Sequence, residues 1–325
     1  MRVDVSRWLR QRTYALSHYD VPSLVQAKRE QRLTVSVVLP ALNEERTVGT
    51  IVDSIRRDLM DAARLVDELV VIDSGSTDQT ARVARAAGAR VVHVDDVLPA
   101  YGRVAGKGEA LWKSMHVTDG DLLVFIDADL ICFDPRFIVG LLGPLLSDPT
   151  VGYVKGLYDR PLSTADGVVP SGGGRVTELI ARPLLGALWP QLSGFVQPLS
   201  GEYAGRRELL EQVPFVSHYG VELGLLIDLA ELAGIDALAQ VDLGTRQHSH
   251  QPDAALGRMA AQILQTAMAR CPGVGVPSDQ LVQYVRTGGD IEAVTWDVGV
   301  VQRPPMRSVP AYVARRAART PGRPA

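Results

Sequence analysis

The chain of 325 residues is long enough for one large domain or two ordinary ones, and at 46% hydrophobic and 22% charged it can bury a substantial core. A net charge of −3 with a pI near 6.1 gives no basic footprint for nucleic acid. Two cysteines make no disulfide framework, and the most apolar run, FIVGLLGPLL from Phe137, is too short for a bilayer and carries a proline. The expectation is therefore a cytoplasmic protein with neither a membrane nor a nucleic-acid partner.

Residues 1–32 are polar and mixed, which predicts an arm or short helices. The basic end, RRAARTPGRPA from Arg315, predicts a disordered tail over 311–325. Between them the pattern is regular. TVSVVLP, from Thr34, is β-branched and continuous, as in a strand buried on both faces. EERTVGTIVDSIRRDL follows with Val48, Ile51, Val52 and Ile55 at helical spacing. Glu68 to Asp73 reads as a second strand, TARVARAAG as a helix closed by Gly88, and ARVVHV as a third strand. GKGEALWKSMHV reads as a helix and DLLVFID as a fourth strand.

This alternation predicts an α/β fold with a mostly parallel, Rossmann-like sheet. Residues 33–160 make the first half, and 161–310 form a looser C-terminal extension. That second half holds VGYVKGLYDRPL as a strand, SGGGRVTELIARPLLGAL as a glycine loop entering a helix, and YGVELGLLIDLAELAG as a helix. IDALAQVDLG follows as a strand that empties into TRQHSHQ.

In such a sheet ligands bind at the carboxyl ends of the strands. Three strands end in polar sequence there: Pro40-Ala41-Leu42-Asn43-Glu44, Asp73-Ser74-Gly75-Ser76, and Asp127-Ala128-Asp129. Two aspartates one residue apart, if both extended, point the same way and repel unless a cation lies between them. Hard oxygens suit Mg²⁺ or Mn²⁺. The competing reading makes them capping carboxylates for the helix that starts near Asp134. GRVAGKGEA is not a P-loop, which needs G-x-x-x-x-G-K-S/T. Its flanking glycines predict that Lys107 and its backbone approach a ligand closely. Gly174, Arg175, Val176 and Thr177 form a helix start with an arginine, a ready anion site, unless the glycines are only a linker.

Taken together, VVLPALNEE, VIDSGSTDQT and D-x-D in this order resemble the nucleotide-sugar-dependent glycosyltransferases of the GT-A fold. AGKGEALW, SGGGRVTELIARPLL, QPLSGEYAGRREL and YGVELGLLID extend the likeness, from about Thr34 to Pro305, to the glucosyl-3-phosphoglycerate synthases, in a family shared with mannosyl-3-phosphoglycerate synthases. That resemblance implies a retaining transfer of glucose from UDP-glucose, or GDP-glucose, to the 2-hydroxyl of 3-phosphoglycerate. It implies a divalent metal, Mg²⁺ or Mn²⁺, held by Asp129 and His248, and a homodimer. The nucleotide sugar falls to Pro40, Ala41, Leu42, Asn43, Glu44, Asp73, Ser74, Lys107, Asp127, Ala128 and Asp129. The acceptor falls to Gly174, Arg175, Val176, Thr177, Arg246 and His248, and the chemistry to Glu222, Asp127, Tyr219 and Leu199. A mannosyl-transferring enzyme using GDP-mannose is the alternative within the class. A non-catalytic nucleotide-sugar binder and a nucleotidyltransferase are alternatives outside it.

Overall fold

Eight strands form one sheet in the computed structural model, which describes residues 2–159, 162–164, 167–169, 174–245, 252–275 and 278–319. In chain order the first elements are α1 (Val3–Gln11), β1 (Thr13–Ala15), α2 (Val21–Glu30), β2 (Val35–Ala41), α3 (Val48–Ile55), β3 (Glu68–Asp73), α4 (Thr80–Ala86) and β4 (Arg90–His93). They continue with α5 (Lys107–Val117), β5 (Leu122–Phe125), α6 (Arg136–Ser147) and β6 (Tyr153–Asp159), a small ribbon of β7 (Leu162–Thr164) and β8 (Gly167–Val169), and α7 (Arg182–Leu188). Then come β9 (Tyr203–Arg206), α8 (Arg207–Leu210), β10 (Phe215–Val216), α9 (Val221–Ala233), β11 (Leu238–Thr245) and α10 (Asp253–Met268). A hairpin of β12 (Gln280–Thr287) and β13 (Asp290–Asp297) precedes β14 (Gln302–Arg303) and α11 (Pro310–Arg319).

The sheet order is β1-β11-β6-β9-β5-β2-β3-β4. Every pairing is parallel except those of β9, which runs antiparallel to both β5 and β6. The predicted parallel α/β sheet is thus present, and β2, β3, β4, β5, β6 and β11 lie where their apolar runs place them. Central strands are buried on both faces because helices cover both. One core holds Val37, Leu39, Ile51 and Leu141 beneath α3 and α6; the other holds Val38, Phe125, Tyr203 and Leu226 beneath α5 and α9. Gly234, at φ +80°, ends α9 as expected.

Three expectations need correction. The N-terminal residues do form helices, but they also add an edge strand, since β1 pairs with β11. The Trp8 indole donates to the carbonyls of Ile235 and Leu238, and Lys28 Nζ donates to the Arg64 and Leu65 carbonyls, so α1 and α2 are anchored to the fold. The tail is not disordered through its first part: α11 runs to Arg319. Arg315 and Arg319 both pair with Asp119, and the Tyr312 hydroxyl donates to Glu211. Finally, β5 stops at Phe125 and Ala128–Asp129 lie in a turn, so strand alternation does not aim the two aspartates.

Candidate active site

The carboxyl rim of the sheet is built first from two interlocked loops. After β2, Asn43 takes a left-handed conformation at φ +60°. Its backbone N–H donates to Ser76 Oγ at 3.0 Å, and its side-chain oxygen accepts from the Thr77 N–H at 2.8 Å. The Glu44 N–H donates to Thr80 Oγ1 at 2.7 Å. The Asp73 carboxylate is buried and accepts from the Ser76 N–H at 3.1 Å, while the Ser74 N–H donates to the Ala41 carbonyl at 2.9 Å. The register Ala41 to Asp73 places both loops side by side. Pro40, Ala41 and Leu42 thus share one rim with Asp73 and Ser74. Leu42 is 53% exposed, a large apolar side chain on an otherwise polar edge.

A third loop joins them. Thr47 Oγ1 donates to the Ala128 carbonyl at 2.6 Å, tying the first loop to the D-x-D turn. Glu44 is pushed up to about 7 by burial first and then by Asp129, with Asp78 and Asp127 adding to the rise and the Thr47 hydroxyl opposing it. Glu44, Asp127 and Asp129 thus bring carboxylate oxygens together at this rim, the hard donors that suit a divalent cation. Among the described residues no group of three or more histidine, cysteine, aspartate or glutamate side chains is gathered tightly enough to hold a metal. His248 and Arg246 lie outside the described residues, so Asp129 is the one proposed metal ligand the structure describes.

Lys107 is the centre of the site. It opens α5, where its ammonium pairs with Asp127 and, at 2.8 Å, with Glu222 in the first turn of α9. Burial opposes a charged lysine, but Asp127 and Glu222 outweigh it and hold its pKa above the ordinary value. The glycines on either side have a packing role. A Cβ on Gly106 would lie 2.6 Å from His218, and one on Gly108 would lie 1.7 Å from the Val216 carbonyl oxygen. They let α5 approach the 216–218 backbone closely. Arg303 secures the loop before Lys107, donating to the Tyr101 and Gly102 carbonyls and pairing with Glu109 at 2.6 Å.

The segment Leu199-Ser200-Gly201-Glu202 enters the site because β9 is antiparallel, which brings its start to the carboxyl rim. A Cβ on Gly201 would lie 2.1 Å from Asp127 Oδ2, so the backbone abuts that carboxylate. Tyr219, 44% exposed, precedes the α9 start that carries Glu222. Gly174 takes φ +89° before the helical stretch from Arg175. Thr177 and Val176 are buried, and Arg175 pairs with Asp253, itself 87% exposed. Such an exposed pair is weakly held and exchangeable for a stronger anion. Lys155, buried against the Ser200 carbonyl and the Tyr203 ring, is the residue sequence reasoning missed. Its signal was a lysine inside an otherwise apolar strand, YVKGLY.

Residues 36–213 match the model of glycosyl transferase family 2. The chain belongs to that family. It is 49% identical over 307 residues to a glucosyl-3-phosphoglycerate synthase of Mycolicibacterium paratuberculosis, across 93% of this chain and 92% of the relative. The crystal structure of glucosyl-3-phosphoglycerate synthase from Mycobacterium tuberculosis in complex with Mn²⁺, UDP-glucose and phosphoglyceric acid superposes with a TM-score of 0.79. It is 48% identical and covers 89% of this chain and 95% of that one. The mannosyl-3-phosphoglycerate synthase of Rubrobacter xylanophilus superposes with a TM-score of 0.87 at 39% identity, covering 94% and 98%. The GT-A α/β architecture of this family 2 glycosyltransferase is the one observed here.

Proposed function

We propose that the protein transfers glucose from UDP-glucose to the 2-hydroxyl of 3-phosphoglycerate with retention of configuration, giving glucosyl-3-phosphoglycerate. The observation that carries the site assignment is the Lys107 ammonium bound by both Asp127 and Glu222. The donor and acceptor rest on the sequence relatives, which reach 49% identity over nearly the whole chain.

In this reading the Pro40–Glu44 and Asp73–Ser74 loops receive the nucleoside, with backbone groups on the base and Glu44 on a ribose hydroxyl. Mn²⁺ or Mg²⁺, held by Asp129 and His248, neutralises charge on the leaving diphosphate. Lys107 adds a fixed cation at the same group, and its two carboxylate partners aim it. Gly174 to Thr177 and Arg246 hold the acceptor, whose phosphate and carboxylate call for arginine and backbone N–H donors. A carboxylate already engaged by a lysine is a weak nucleophile, which supports same-face attack by the acceptor hydroxyl over a glycosyl-enzyme at Glu222. Glu222 then orients Lys107, with Tyr219 and the Leu199 backbone beside the sugar.

A GDP-mannose donor is the second reading, favoured by the TM-score of 0.87 against 0.79. Backbone likeness fixes the fold, and whole-chain identity is higher to the glucosyl relative, 49% against 39%. Purified protein with Mn²⁺ is mixed with UDP-glucose, GDP-glucose or GDP-mannose and with 3-phosphoglycerate or glycerate. Turnover confined to glucose donors and the phosphorylated acceptor is expected. Turnover with GDP-mannose alone overturns the donor, and turnover with plain glycerate overturns the Arg175 assignment.

The homodimer has a candidate surface in the β12–β13 hairpin, which exposes Tyr284 by 73% and Ile291 by 65%. Light scattering of wild type against a Tyr284→Glu, Ile291→Glu variant tests it. No helix among the described residues is long and apolar enough to cross a membrane.

A further inference from the structure

Lys155 lies on β6 and is fully buried. A lysine there is costly unless its amine has partners. Its Nζ donates to the Ser200 carbonyl at 3.0 Å and to the Tyr153 hydroxyl oxygen at 3.4 Å, and lies 4.7 Å from the centre of the Tyr203 ring. The register Lys155 to Tyr203 to Phe125 sets these side chains in one cross-strand row. Phe125 and Tyr203 belong to the core covered by α9, the helix that carries Glu222.

Ser200 is the link to the site. Its carbonyl is held by Lys155, its hydroxyl donates to Glu202 Oε2 at 3.1 Å, and the next residue, Gly201, abuts the Asp127 carboxylate. We infer that Lys155 is a positioning residue for the transfer: by binding the Ser200 carbonyl it seats Leu199 and Gly201 against Asp127. This rests on the active-site reading above.

The charges around it agree. Burial draws the Lys155 pKa down to about 7, against Glu222, Glu202 and Asp127, which raise it, and with Lys107, which lowers it further. Burial also keeps the Tyr153 and Tyr203 hydroxyls protonated, their pKa values raised well above the ordinary one. An amine donates to a carbonyl in either protonation state, so the prop persists across neutrality while its charge changes.

Lys155→Met keeps the length and removes the donor. Relative to wild type, kcat is expected to fall about 10–100-fold, as for other supporting groups, while KM for UDP-glucose stays within about twofold. Hydrogen exchange in the resting protein should quicken over residues 199–203 and stay unchanged in β2 and β3. Lys155→Gln, with a shorter donor, should retain more kcat than Met, and it carries the same measurements if the Met variant does not fold. Wild-type exchange at 199–203 in both variants overturns the inference whatever the kcat, as does an unchanged kcat. If wild type itself transfers nothing from UDP-glucose to 3-phosphoglycerate, the proposed function falls, and the exchange result still decides Lys155.

Discussion

Replacing Lys107 by Met removes the ammonium that pairs with both Asp127 and Glu222. Side-chain exposures of 18%, 20% and 6% for Lys107, Asp127 and Glu222 make this a largely desolvated triad. Breaking a buried pair by removing one partner costs about 3–5 kcal/mol, and the partial exposure of Asp127 argues for the lower end, about 3 kcal/mol. At about 2 °C per kcal/mol or less for a chain of this size, Tm should fall by about 4–6 °C. The loss should shrink at pH 5, where carboxylates that have lost the Lys107 ammonium take up protons more readily.

In wild type the sign is different. The Lys107 pKa is raised in the folded state, so its contribution is fully present below the unfolded lysine value of about 10.5 and fades only as pH rises through the folded value. The wild-type pairing is therefore constant, on the lysine side, across pH 5–9. Differential scanning calorimetry of both proteins at pH 5 and 8 measures the stability, and kcat/KM should drop about 10²–10³-fold with the lost cation. The double variant Lys107→Met, Glu222→Gln should regain part of the Tm and none of the activity. A single variant as stable as wild type at pH 8 would refute the triad as a desolvated unit.

Glu44→Gln should flatten the pH dependence of stability between about pH 4.5 and 7. Glu44 is raised in the folded state, so the fold binds its proton more tightly than the unfolded chain and wild type loses stability as pH rises through that window, which calorimetry at several pH values will show. Gly201→Ala would place a methyl 2.1 Å from Asp127 Oδ2, and kcat should fall at least about tenfold, with a circular dichroism spectrum like wild type. Arg175→Ala should raise KM for 3-phosphoglycerate about tenfold or more and leave KM for UDP-glucose unchanged, because the exposed Asp253 pair it gives up is worth little; initial-rate kinetics in both substrates separate the two.

The parallel core and the rim were legible in the sequence because both are local. Continuous apolar runs such as Val35 to Leu39 and Leu122 to Phe125 declare strands buried on two faces. The residues directly after them, Asn43, Asp73 and Asp127, must then meet at the carboxyl edge. What tertiary structure alone decided are contacts between distant segments. The short β9, Tyr203 to Arg206, carries no strong strand pattern, yet it slots antiparallel between β5 and β6 and so delivers Gly201 to Asp127. The glycines around Lys107 are there for the close approach of residues 216–218, a neighbour more than a hundred positions away. The same holds for β1, whose partner is β11 at the far end of the chain, and for α11, pinned by Asp119. Hydrophobic periodicity reports which face of an element is buried and is silent about what covers it. That is why periodicity gave the lysine in the middle of β6 no role, and its partners Ser200 and Tyr203 emerge only in the fold.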